Sequence, residues 1–97
     1  MRYEIEFAPE AAQDYRELDA HVRSGVRDAI ETHLRHQPTK TSKSRIKRLR
    51  GLSRPQYRLR VGDIRVFYDV TELEVQVLAI VAKAHAQAWL ERWGEKS

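Results

Sequence analysis

The stretch Tyr57 to Asp69, YRLRVGDIRVFYD, constrains the fold of this chain more than any other. Gly62-Asp63 between two alternating runs is the signal of a two-residue hairpin turn, because glycine takes a positive φ without strain. The turn sets the register: Val61 opposite Ile64, Arg60 opposite Arg65, Leu59 opposite Val66, Arg58 opposite Phe67. Side chains alternate between the faces of a strand. Tyr57, Leu59, Val61, Ile64, Val66 and Tyr68 therefore share an apolar face, and Arg58, Arg60, Arg65 and Phe67 share the other. Arg60 and Arg65 stand directly across from one another, and like charges so placed repel. Either the long side chains splay into solvent, or an anion relieves them. Guanidinium offers a planar fork of donors that matches phosphate oxygens. Phe67 beside the arginines either stacks a base or covers the sheet.

Around the hairpin the elements follow from periodicity. Arg2 to Phe7 alternates as an amphipathic strand. Pro9 opens a helix with Ala11, Tyr15 and Leu18 on its apolar stripe. Val22, Val26, Ala29, Ile30 and Leu34 mark a second helix, joined to the first by the short link Asp19-Ala20-His21 and ended by Gln37-Pro38-Thr39. Ile46 to Leu52 reads as a short strand broken at Gly51, and Ser53-Arg54-Pro55 as a turn. Val75 to Ala82, apolar and β-branched, reads as a central strand buried on both faces. Ala84 to Trp93 is a last helix with Gly94 past its end, and Trp89 and Trp93 are expected to pack. The order predicts an α+β fold: a small antiparallel sheet, an N-terminal helix hairpin packed on one face, and a short C-terminal helix. Residues 1–97 make a single domain of modest core, with no repeat or linker.

Charge is unevenly spread. Residues 32–62 carry ten bases and no acid, whereas residues 1–31 carry eight acids and four bases. Such a block is either a solvated surface or the footprint of a polyanion, most often nucleic acid. Lys43, Lys47, Arg48 and Arg50, with Phe67, are its candidate RNA-binding residues. The block lacks the apolar anchors of a membrane-surface helix, and the longest apolar run, Val77 to Ala82, is far too short to span a bilayer. The absence of cysteine removes disulfides and thiolate metal sites and fits a cytoplasmic protein. His33 and His36 are three apart, but no third metal ligand accompanies them, so neither a metal nor another cofactor is expected. Arginine stays protonated, so it can bind and stabilise charge but cannot move a proton. Lys83 and His85, where the central strand gives way to the last helix, are the groups near the arginine face that can.

The run Lys47-Arg48-Leu49-Arg50-Gly51-Leu52, then Tyr57 to Tyr68 and the segment Val81-Ala82-Lys83, together with the order of elements, resembles the RelE/ParE superfamily of bacterial type II toxins over most of the chain. The resemblance implies a small toxin neutralised by a cognate antitoxin. Its RelE branch cuts messenger RNA in the ribosomal A site without a metal; its ParE branch inhibits DNA gyrase and is not a nuclease. By similarity to the RelE branch, the favoured one, Arg58, Arg60, Arg65, Lys83 and His85 are the expected catalytic residues. Where that branch commonly has a further arginine stands Ala84, and where it often has a tyrosine stand Trp89 and Leu90.

Overall fold

The computed structural model describes all residues, Met1–Ser97. Five strands form the main sheet: β1 (Glu4–Phe7), β2 (Ile46–Arg48), β4 (Tyr57–Val61), β5 (Ile64–Val70) and β6 (Glu74–Ala82), ordered β1-β6-β5-β4-β2. Two short strands, β3 (Leu52–Arg54) and β7 (Glu95–Lys96), pair separately. The helices are α1 (Pro9–Glu17), α2 (Ala20–His33) and α3 (Lys83–Trp93). The α+β architecture is the one expected from the sequence, with the sheet antiparallel except at one edge, where β1 runs parallel to β6. The chain must cross from β1 through the helix pair before it returns, and a crossover of that length permits a parallel partner.

The hairpin has the register that its turn dictates, with Arg60 paired to Arg65 and Leu59 to Val66, and Gly62 takes φ 56°. Its apolar face carries the core. Leu59, Val66 and Tyr68 are buried with Val75, Val77 and Ile80 of β6 beneath Ala11 of α1 and Val26, Ile30 and Leu34 of α2 or just beyond it. Tyr68 stacks on Tyr57 with ring centroids 5.5 Å apart, and its hydroxyl donates to the Pro38 carbonyl at 2.6 Å. Burial, and then Tyr57, push the Tyr68 phenol far above its ordinary range.

Helix α2 begins at Ala20, capped by Asp19, whose carboxylate accepts from the His21 amide at 2.9 Å; Ala20 and His21, expected in the link, are therefore helical, and Leu18-Asp19 joins the helices. In β6 the register shifts after Phe67, leaving Leu78 as the extra residue of a bulge. Beyond it β1 has ended, and Asp14 of α1 accepts from the exposed edge at the Ile80 amide, 3.0 Å away. The segment Ser53-Arg54-Pro55 is not simply a turn: Leu52–Arg54 is strand β3, held by β7, a pairing between distant segments that no local signal announces.

Candidate nucleic-acid interface

The face of the sheet away from α1 and α2 is a cationic array. Arg58 and Arg60 of β4 alternate out of the core, and Arg65 of β5 lies across from Arg60. Strand β2 adds Lys47 directly opposite Arg58. One step along, the Arg60 amide donates to the Arg45 carbonyl at 2.8 Å, so Arg45, Arg60 and Arg65 form a row across three strands. Pairing of β2 with β4 is the part that sequence alone did not supply, and it brings Arg45 into the set. No carboxylate makes an ion pair with any of these five cations; the ion pairs of the molecule are Arg27–Asp28, Arg35–Glu31 and Arg54–Asp69.

The three hairpin arginines are not equivalent. Arg60 is exposed. Arg58 is half-buried, and its Nε is buried with no hydrogen-bond partner. Burial, then the charges of Arg65 and Arg60, lower its pKa from the ordinary guanidinium value. An unpaired buried donor is rare in a folded protein; the Nε of Arg23 on α2 is the other one here. Arg65 is only 8% exposed, and its Nη1 donates to the carbonyls of Gly62 and Ile64 at 2.9 and 3.1 Å. It braces the turn as well as charging the face.

Phe67 is not an open stacking platform. It is 1% exposed, and its ring lies against Trp89 of α3 with centroids 5.1 Å apart and planes 9° from parallel. Helix α3 therefore folds back over one end of the arginine face and leaves the rest free. Trp89 packs as expected, but Trp93 is 58% exposed, with Arg92 over its ring at 5.0 Å. Arg48 alternates to the other face, where its guanidinium sits 5.1 Å above the Tyr57 ring, so it stands apart from Lys47 and the array. Lys43 is exposed in the loop before β2, and Arg50 is exposed in the turn that Gly51, φ 76°, closes.

Lys83 and His85 are exposed in the first turn of α3. The Lys83 amide donates to the Asp63 carbonyl at 2.8 Å, which fastens the helix start to the hairpin tip beside Arg60 and Arg65. His33, set aside in the sequence as a metal ligand, is half-buried with Arg45 in a polar cavity of 240 Å³. Burial, and then Arg45, lower its pKa and favour the neutral ring. No group of three or more His, Cys, Asp or Glu side chains converges on a point that would hold a metal ion. No helix is long and apolar enough to cross a membrane.

Residues 5–87 match the model of a family described as the ParE toxin of type II toxin-antitoxin systems, parDE. The chain belongs to that family. It is thus a toxin of the RelE/ParE type, as its hairpin and element order imply. The fold is shared with a doubly substituted form of the E. coli toxin RelE in the free state, at a TM-score of 0.70 and 20% identity over 96% of this chain and 99% of that one. It is shared with a chain of the RelB-RelE complex from Methanococcus jannaschii, at 0.67 and 20% over 87% and 96%. A chain of the E. coli DinJ-YafQ complex matches at 0.60 and 16% over 90% and 97%. None of the curated proteins compared with this toxin matches it.

Proposed function

We propose that this toxin is a metal-independent endoribonuclease that cuts messenger RNA at the ribosomal A site. The observation that carries the reading is the cationic array itself. Lys47, Arg58, Arg60 and Arg65 share one sheet face, with Arg45 at its edge, and no carboxylate neutralises them. A phosphate there relieves the Arg60–Arg65 repulsion. Lys43 in the loop before β2 and Arg50 in the turn after it are exposed, and Lys47 lies within the array.

In the reaction the 2′-oxygen of one nucleotide attacks the adjacent phosphorus, and the bond from phosphorus to the 5′-oxygen breaks. A base takes the 2′-hydroxyl proton and an acid delivers a proton to the departing 5′-oxygen, leaving a 2′,3′-cyclic phosphate and a 5′-hydroxyl. Arg58 and Arg60 stabilise the charge that grows on the phosphorane, and Arg65 adds its field while holding the turn. Lys83 and His85 at the hairpin tip are the groups that move protons. The ribosome supplies orientation of the message, which lowers what the protein's own groups must achieve. Phe67 has no part in binding while Trp89 covers it.

The family match favours a second reading, in which the toxin inhibits DNA gyrase by surface complementarity alone. Under either reading a cognate antitoxin in the cytoplasm is the expected partner, as the RelB-RelE and DinJ-YafQ complexes of its fold neighbours suggest. Induction of the toxin followed by mapping of new RNA 5′ ends, with gyrase supercoiling assayed in parallel, separates the two. New 5′-hydroxyl ends within open reading frames support the nuclease. Intact messages with blocked supercoiling overturn it in favour of the gyrase reading.

A further inference from the structure

A groove of 410 Å³ runs between the turn that joins β2 to β3 and helix α3. Lys47, Leu49 and Arg50 form one wall, and Gln87, Leu90 and Lys96 belong to the other side. Leu49 and Leu90 are half-buried and give it an apolar lining, whereas Arg50, Gln87 and Lys96 are exposed at its rim. Its one acid is Glu91, which accepts weakly from the Gln87 amide nitrogen at 3.4 Å. Three cations thus surround a slot with one carboxylate. Lys47 belongs to both places: it pairs across from Arg58 and also lines the groove. A phosphate chain that lies on the arginine face therefore continues into the groove along Lys47.

We infer that this groove seats one nucleotide of the RNA, next to the phosphate held on the arginine face, and that Gln87 reads its base. The inference rests on the RNA reading above and adds a specificity-determining residue to it. A nucleobase needs an apolar bed and a donor–acceptor pair at its edge. Leu49 and Leu90 provide the bed, and the glutamine amide is the side chain that both donates and accepts in one plane. Its bond to Glu91 is long enough to be exchanged for a base. Arg50 and Lys96 sit where flanking phosphates pass.

Fluorescence anisotropy with single-stranded RNA hexamers of A, C, G and U, on the purified toxin, tests this. The wild type should rank the four hexamers. Gln87→Leu should weaken the preferred hexamer by about fivefold or more and flatten the ranking, since one amide–base pair is worth that discrimination. Arg50→Glu and Lys96→Glu should weaken all four by roughly fivefold to tenfold at low salt. Arg60→Ala, outside the groove, should weaken all four while keeping their order. All of these side chains are exposed, so the variants retain the parent fold. If Arg60→Ala loses affinity but the groove variants do not, the groove is overturned and the arginine face stands. Equal wild-type affinity for all four hexamers overturns Gln87 as reader. No binding of any hexamer overturns the groove, while the RNA reading is decided separately by the 5′ ends mapped after induction. Groove variants that keep RNA affinity but relieve gyrase inhibition assign the slot to a protein partner and overturn it likewise.

Discussion

Arg60 and Arg65 face each other across the hairpin, yet the structure gives them different work. Arg60 is exposed and makes no ion pair, so its proximity to Arg65 is an unrelieved repulsion in the free protein. Arg60→Ala should leave the melting temperature unchanged or slightly higher, while cleavage on programmed ribosomes falls by about two to three orders of magnitude, the usual loss of one preorganised donor. Arg65 is buried and donates to two carbonyls at the turn. Arg65→Ala should therefore lower stability by about 1 kcal/mol in urea melts, the usual net worth of such hydrogen bonds. Equal melts for the two variants would mean that the turn does not depend on Arg65. At the other side of the molecule, Glu31 in the last turn of α2 forms an ion pair with Arg35 just past the helix end. The hydrogen bond from Arg35 holds the Glu31 carboxyl below its ordinary pKa. Folding then favours the ionised form, so the contribution is full above the ordinary carboxylate range and is lost as pH falls through the lowered value. Glu31→Gln should melt slightly below wild type at neutral pH, and the gap should close in acid.

At the scale of elements, α3 is the part that decides how much of the arginine face is open. It buries no residue fully. Four contacts hold it: the Lys83 amide on the Asp63 carbonyl, Trp89 on Phe67, the β7–β3 pairing, and the close approach at Gly94. A Cβ on Gly94 would lie 2.5 Å from the Leu90 carbonyl oxygen and 3.2 Å from a methyl of Leu52, which no alanine tolerates without a shift. The five-stranded sheet owes its core to α1 and α2 instead. Trp89→Ala and Gly94→Ala should therefore loosen α3 and leave the sheet intact. Hydrogen exchange should show lost protection over residues 83–96 with β4, β5 and β6 still protected. Equal loss across the sheet would place α3 in the same cooperative unit as the core.

Over the whole molecule, the segregation of charge dominates. The ten bases of residues 32–62 fall on the segment between α2 and β2, on β2, β3 and β4, and on the turn after β2, while the N-terminal part is acidic. Binding of single-stranded RNA should therefore weaken steeply with salt, through counterion release. Lys47→Ala should reduce the slope of log affinity against log salt by roughly 0.7, the value for one phosphate contact on a single strand. An unchanged slope would remove Lys47 from the RNA path.

The sequence by itself determined the hairpin, because a Gly-Asp turn between alternating runs admits one register, and a register assigns every side chain to a face. It determined the helix pair and the extent of β6 for the same reason, since periodicity is a local statement, although β6, expected to be buried on both faces, is only half-buried at Gln76, Leu78 and Val81. Only the tertiary structure decided the rest. That β2 docks on β4, so that Arg45 and Lys47 join the arginines and Arg48 turns away, is a choice of partner strand. That Phe67 is closed over by Trp89, and that Arg65 spends its donors on the turn, depends on where α3 and the carbonyls of the turn come to rest. Such contacts join residues far apart in the chain. Their energy depends on three-dimensional proximity, which no spacing along the sequence encodes.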